Sequence, residues 1–198
     1  MRSGSWTSIA AIAAMLMVPA VAQGQVVTFF DINDAVPARF FDPASSAPDP
    51  LDANTLVIGL HSGIDWTTWK ATEFRASTAS FSHSAAIDTI SFKVAAPDGF
   101  YISKITYTQG GSGSVLRTGK TQGGGSWVVG HFAEDLGVFT TNPTLTRTID
   151  LTGLNLTLVP VSISQSLFAW APPALGSAMV SLSHAAVQVE VAPIAPPQ

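Results

Sequence analysis

Apolar and polar side chains alternate along most of this chain. The clearest example is the stretch in which Ile90, Phe92 and Val94 occupy even-numbered positions and polar residues occupy the odd-numbered positions between them. This period of two is typical of a β-strand with one buried and one solvated face. No stretch of the sequence sustains a helical period, so the pattern predicts an all-β protein.

A turn signal, Pro97-Asp98-Gly99, follows this strand. Proline presets φ, and glycine tolerates a positive φ, so the chain is expected to reverse there. Residues 100–108 alternate again. The sequence therefore predicts a hairpin between this second strand and the one before the turn.

The second strand contains a mismatch in its alternation. Ile105 and Tyr107 agree in parity with Tyr101, whereas Ile102 does not. One extra residue near Ser103-Lys104 would restore the facing of the later side chains, so a β-bulge is predicted there.

Two glycine clusters come next, at residues 110–113 and 123–125. Glycine adopts conformations that tight reversals require. Each cluster is therefore interpreted as a loop, and residues 87–130 as a meander.

The apolar parity changes twice in the last third of the chain. Even-numbered leucines up to Leu158 give way to odd-numbered apolar residues from Val161, with Pro160 between them. Proline cannot donate to a strand ladder, so the strand is expected to kink there and cross between sheets. A similar crossing is predicted between Leu182 and Val187.

The remaining pattern completes the predicted fold. Further strands are expected at residues 26–30, 55–60, 137–141 and 145–151, a long surface loop at 31–54, and a short helical or irregular piece followed by a strand at 66–79. About ten short strands with turn signals at this spacing predict an antiparallel β-sandwich, of jelly-roll type.

The N-terminus has the features of a secretory signal peptide. Arg2 precedes an apolar run over residues 9–18 and the small-residue triplet Ala20-Val21-Ala22. The run is shorter than the roughly twenty residues that span a bilayer, so cleavage before Gln23 is expected and no membrane span should remain. This divides the chain into a signal peptide (1–22), one β-sandwich domain (23–191) and a proline-rich tail (192–198), and predicts secretion to the periplasm or the extracellular space.

Composition narrows the functional classes. Charged residues make up 11% of the chain, where about 25% is usual, and the net charge is −4 without basic clusters. A nucleic-acid partner is disfavoured on this ground, and the solvent faces are expected to be rich in hydroxyls. Cysteine is absent from the sequence, which excludes disulfides and cysteine chemistry and is associated, in a secreted chain, with a bacterial origin.

One stretch resembles the end of a phosphate-binding loop. Residues 113–121 have five residues between their glycines, where the motif has four, and the sequence that follows is too rich in glycine to begin a helix. No nucleotide partner is therefore expected.

Aromatic residues supply one candidate ligand surface. Trp66 and Trp69 have polar neighbours, and sugars stack on exposed aromatic rings. Together with Asp65 and Tyr101 they predict a platform for a glycan or a cell-surface polymer, although tryptophans in β-sandwiches usually belong to the core.

Acidic residues supply a second candidate. Asp31, Asn33 and Asp34 offer the hard oxygen ligands that calcium prefers, but the glycine-bearing loop of a typical calcium site is absent from the sequence. The alternative is that these residues simply form turns. No cofactor is expected other than a structural calcium ion at these residues.

Three functions remain open. The first is a secreted, non-catalytic bacterial protein that acts by surface association in a matrix, an envelope or adhesion. The second is a carbohydrate-binding module that uses Trp66 and Trp69, and the third is a secreted hydrolase built on His131, Glu134 and Asp135. In architecture the predicted fold resembles extracellular bacterial β-sandwiches and carbohydrate-binding modules, a likeness that assigns no residue a function.

Overall fold

The structure, a computed structural model, describes residues 25–34, 40–61, 64–65, 70–71, 73–76, 82–140, 144–172 and 176–195. Within these ranges every regular element is a β-strand. None of these residues belongs to a helix that could cross a membrane. The strands are β1 (Thr28–Asp34), β2 (Phe41–Pro48), β3 (Thr55–Leu60), β4 (Ile64–Asp65), β5 (Lys70–Ala71), β6 (Glu73–Ala76), β7 (Ser82–Ala95), β8 (Phe100–Arg117), β9 (Lys120–Val129), β10 (Phe132–Phe139), β11 (Leu145–Asp150), β12 (Leu158–Ala171) and β13 (Gly176–Pro193).

Two antiparallel sheets form a sandwich, as the sequence predicts. The five-stranded sheet has the order β1-β7-β12-β9-β10. The six-stranded sheet has the order β11-β8-β13-β3-β2, and β6 also pairs with β13. Strands β4 and β5 pair with each other in a separate ribbon.

The strand order is that of a jelly roll. In this fold the first, eighth, third and sixth of eight successive strands form one sheet, and the second, seventh, fourth and fifth form the other. Counting β3 as the first and β7 to β13 as the next seven reproduces both orders. Strands β1 and β2 extend one edge of each sheet, so the predicted fold class is confirmed.

Strand β12 shows why these residues form a two-faced sheet. Its odd-numbered residues are buried from Val159 to Ala171, whereas its even-numbered residues face solvent at least in part. Strand β12 pairs with β7 on one side and with β9 on the other, so it lies at the centre of its sheet. The alternation places an apolar layer inside and a row of serines outside.

The core lies between the two sheets and centres on aromatic and branched side chains. Trp127 from β9 and Tyr107 from β8 are both fully buried, and their ring centroids are 6.0 Å apart. They join the five-stranded sheet to the six-stranded one. Removing a core side chain of this size typically costs about 3–5 kcal/mol.

The turn at residues 97–99 is confirmed, but the hairpin is wrong. The Phe100 amide donates to the Pro97 carbonyl over 3.1 Å, and Gly99 has φ of 80°. The strands on either side do not pair, because β7 belongs to the five-stranded sheet and β8 to the six-stranded sheet. The turn carries the chain across the sandwich.

The bulge in β8 is confirmed. The pairing with β13 shifts between Glu190 opposite Lys104 and Val191 opposite Ile102, which leaves Ser103 as the extra residue. Ile102, Ile105 and Tyr107 are therefore all buried, despite their different parity.

The predicted glycine loops are wrong, since both clusters lie inside strands. A Cβ on Gly110 would lie 1.9 Å from the His184 ring, and one on Gly123 would lie 2.0 Å from the Phe139 ring. Glycine occurs in strands where a neighbouring group approaches closely. Here side chains of the adjacent strands occupy the space beside each glycine, so a larger residue would not fit there.

The predicted crossings near Pro160 and in the last strand are also wrong. Strand β12 stays in one sheet, and Pro160 is tolerated because β9 has ended beside it and the Gly130 amide donates to the Pro160 carbonyl over 2.8 Å. In β13 the parity changes at a bulge between Leu182 and His184. The strand keeps its partner β8 on both sides of this bulge.

The long loop expected at residues 31–54 is interrupted by structure. Strand β1 continues to Asp34, and β2 begins at Phe41. Phe40 and Phe41 are fully buried and anchor this segment in the core. The aspartates and prolines around them had favoured a loop in the sequence. Of residues 66–79, only the strand segments β5 and β6 are described.

Candidate functional site

The outer surface of the five-stranded sheet carries a compact array of hydroxyl groups. Each of three central strands contributes outward-facing residues at adjacent register positions. We call this array the hydroxyl face, and it consists of Thr89, Ser91, Ser126, Ser162, Ser164 and Ser166. Strand spacing places neighbouring members about 5 Å apart.

Hydrogen bonds tie the hydroxyl face together. Thr89 donates to the Ser164 hydroxyl over 3.1 Å, and Ser91 donates to the Ser162 hydroxyl over 3.1 Å. The Ser166 hydroxyl donates to the Gly124 carbonyl over 3.0 Å. These bonds orient the hydroxyls, and their remaining lone pairs face solvent.

A groove lies at the end of the hydroxyl face where β12 begins. Its volume is about 350 Å³, and we call it the end groove. The residues that line it are Asp31, Asn33, Ser91, Phe92, Lys93, Val128, Gly130, Pro160, Val161 and Ser162. Four strands and one turn therefore contribute to a single concave surface.

Charge in the end groove is balanced. The Lys93 ammonium lies 2.9 Å from the Asp31 carboxylate, and the two side chains are 47% and 54% exposed. Lys93 also lies over the Phe30 ring, at 5.8 Å from its centroid. The ion pair is thus held in place while both partners stay accessible to a ligand.

Asp31 and Asn33, two of the predicted calcium ligands, both line the end groove. The Asp31 carboxylate accepts a hydrogen bond from the Lys93 ammonium, and the Asn33 side-chain amide donates to the Asp31 backbone carbonyl over 2.8 Å. Asp34 pairs in register with Ile90 and therefore lies on the opposite face of β1 from Asn33. Among the described residues no three histidine, aspartate or glutamate side chains form a group that could hold a metal ion, and calcium binding stays a prediction.

The aromatic platform lies largely outside the described residues. Trp66 and Trp69 are not among them, and Asp65 is described only as part of β4. Tyr101 is partly exposed and lies in β8, opposite Ala192 of β13. The glycan surface predicted from these residues stays a prediction.

The three residues named for hydrolysis lie in β10 and in the turn before it. Glu134 and Asp135 are successive residues of β10 and face opposite sides of the sheet. Glu134 accepts a hydrogen bond from the Trp127 indole over 3.3 Å, and Asp135 accepts one from the Gly137 amide over 2.7 Å. His131 is exposed in the turn before this strand.

Other acidic residues stabilise turns. The Thr55 hydroxyl donates to the Asp52 carboxylate over 2.7 Å, and the backbone amide of Asn54 donates to the same carboxylate over 3.1 Å. These bonds, the one from Thr55 most of all, outweigh the effect of burial and hold the pKa of Asp52 below its ordinary value.

Thr55→Val is expected to raise the pKa of Asp52 and to lower the free energy of unfolding at neutral pH by about 0.5–1 kcal/mol. A depressed folded-state pKa stabilises the fold above the unfolded pKa of about 3.9, and this contribution is lost as the pH falls through the folded value. Urea unfolding at several pH values should therefore show the two proteins converging in acid. Thr148→Val, whose hydroxyl bonds only to Thr106 among the contacts described, should leave the Asp52 titration unchanged by NMR; an unchanged titration in Thr55→Val would contradict the assignment.

Sequence reasoning missed most of the end groove. The alternation of Ser162, Ser164 and Ser166 with buried residues was a usable signal for the hydroxyl face. No local signal placed Lys93 beside Asp31, since they are 62 positions apart.

Comparisons with known proteins assign no family. No protein-family model matches the chain, and a search of curated proteins finds no significantly similar sequence.

Proposed function

We propose that this chain is a secreted, non-catalytic protein that associates with a neutral extracellular polymer through the hydroxyl face. The observation that carries the proposal is the hydrogen-bonded hydroxyl array on β7, β12 and β9. Thr89, Ser91 and Ser166 donate within the face. The hydroxyls of Ser126, Ser162 and Ser164 can still donate and all six oxygens can accept, so the array suits a partner that presents uncharged donors and acceptors in a repeat.

The setting of the array favours surface association. Ile87 and Val128, which are 62% and 37% exposed, border the hydroxyls and add apolar contact area. Shallow binding over several strands depends on many modest contacts, which a repeating polymer supplies in series.

Retention on insoluble polymers tests the proposal. The chain from Gln23 onward is expected to sediment with at least one of cellulose, chitin and insoluble xylan, and to release no reducing sugar into the supernatant. Failure to sediment with any of them would overturn surface association with a neutral polysaccharide, and release of sugar would overturn the non-catalytic assignment.

A charge on the hydroxyl face should weaken this retention. Ser164→Lys is expected to reduce affinity about tenfold, the equivalent of one or two lost hydrogen bonds. The matched control is Thr106→Lys on the six-stranded sheet, where the Thr106 and Thr148 hydroxyls are also 3.1 Å apart. Equal weakening by both variants, or weakening by the control alone, would show that the hydroxyl face is not the contact surface.

A further inference from the structure

We propose that the end groove binds a single neutral pyranose residue of the polymer. This inference rests on the proposed function and names the ligand class at one position of the same surface. It is carried by the volume, the balanced charge and the mixed polar and apolar lining of the groove.

The size of the groove suits a small ligand. Small-molecule sites begin at about 300 Å³, and the end groove measures about 350 Å³. It opens onto Ser162 and Ser91, which belong to the hydroxyl face. A chain lying along that face could therefore place one residue or its end in the groove.

The polar groups match vicinal hydroxyls. A carboxylate accepts hydrogen bonds and an ammonium donates them, so adjacent ligand hydroxyls can bridge Asp31 and Lys93. The Asn33 amide and the paired Ser91 and Ser162 hydroxyls add further donors and acceptors along the groove. Since the Asp31 carboxylate already neutralises Lys93 at 2.9 Å, an anionic ligand gains little there.

The apolar lining supplies the other half of sugar recognition. Pro160 is exposed, and Val128 is 37% exposed. The C–H face of a pyranose ring packs against such surfaces, while its rim hydroxyls reach the polar groups. The groove thus presents apolar surface and polar groups side by side to one ring.

The backbone of β1 pre-organises the groove. Asp31 has φ of 52° and lies where the pairing with β7 shifts between Phe30 and Asn33. A bulge re-aims side chains, and positive φ outside glycine is uncommon. The bulge directs the Asp31 carboxylate to Lys93, so little ordering remains to be done on binding.

Titration with methyl glycosides of glucose, mannose, galactose and N-acetylglucosamine tests the inference. At least one glycoside is expected to cause saturable ¹H–¹⁵N shifts centred on Asn33, Ser91, Lys93 and Ser162. The inference is overturned if all four glycosides leave these signals unchanged, if the shifts centre elsewhere, or if inorganic phosphate shifts the groove signals more strongly.

Paired variants separate the end groove from other ion pairs. Asp31→Asn, which retains the tolerance for positive φ, and Lys93→Met are each expected to weaken glycoside binding about tenfold. The matched controls, Lys104→Met and Glu190→Gln, remove an ion pair of 3.0 Å on the six-stranded sheet and should bind as the parent does. Equal weakening in all four variants would refute the groove as the site.

Polymer retention distinguishes the two proposals. A parent that sediments with a polysaccharide but shows no groove shifts with glycosides supports the hydroxyl face and refutes the pyranose site. If the parent protein sediments with no polymer, the proposed function is overturned, and with it the inference that rests on it.

Discussion

Asp88→Ala is expected to lower the free energy of unfolding by about 3–5 kcal/mol. The Asp88 side chain is fully buried, and its Oδ2 accepts hydrogen bonds from the backbone amides of Phe40 and Phe41 over 2.7 and 2.8 Å. Alanine would leave both amides without this acceptor at the start of β2, inside the sandwich. The loss is measured by urea unfolding, followed by tryptophan fluorescence.

Asp135→Ala is the matched control for this prediction. Its carboxylate also accepts from a backbone amide, that of Gly137 over 2.7 Å, but the residue is exposed. Water can replace the acceptor there, so the expected loss is below about 1 kcal/mol. Similar losses in the two variants would show that burial does not make the Asp88 contact costly to remove.

Gly125→Ala is expected to destabilise the protein by about 3 kcal/mol, at the upper end of overpacking costs. An added Cβ would lie 2.1 Å from the Ser164 carbonyl oxygen and 3.1 Å from the Gln165 Cα. Both are backbone atoms of β12, so relief requires β9 and β12 to separate. This shift would also move Ser126 away from Ser164 and weaken polymer retention.

Gly124→Ala is the neighbouring control. Its Cβ would lie 3.0 Å from the Gly137 carbonyl oxygen, a contact that a shift of a few tenths of an ångström relieves. Its expected loss is below about 1 kcal/mol. If Gly125→Ala unfolds at the same urea concentration as the parent, the close approach of β9 and β12 is not a constraint on residue 125.

The local features of the fold were predictable because they depend on neighbouring residues. Alternation placed Ile90, Phe92 and Val94 in the core, and a broken alternation located the extra residue at Ser103. Local signals failed at the two glycine clusters, for which the sequence predicts loops and the structure shows strands. Gly123 lies in β9 against the Phe139 ring of β10, and this contact between strands has no local sequence signal.

The candidate site was predictable only in its residue types. The sequence predicted calcium ligands at Asp31, Asn33 and Asp34 and hydroxyl-rich solvent faces, and the structure places Asp31, Asn33 and two serines of the hydroxyl face in one groove. It did not indicate that Lys93 and Ser162 join them, since these residues come from strands that are distant in sequence. Ser162 reaches the groove only because β12 pairs with β7.

The sequence by itself determined the all-β class, the facing of most strands and the reversal at residues 97–99, because side-chain parity and turn chemistry act over a few residues. Only the tertiary structure decided which strands share a sheet. A turn such as Pro97-Asp98-Gly99 can join two strands of one sheet or carry the chain to the facing sheet, and both outcomes bury the same side chains. Packing of the two apolar faces against each other selects between them, and that choice brings β1, β7, β12 and β9 together around the end groove.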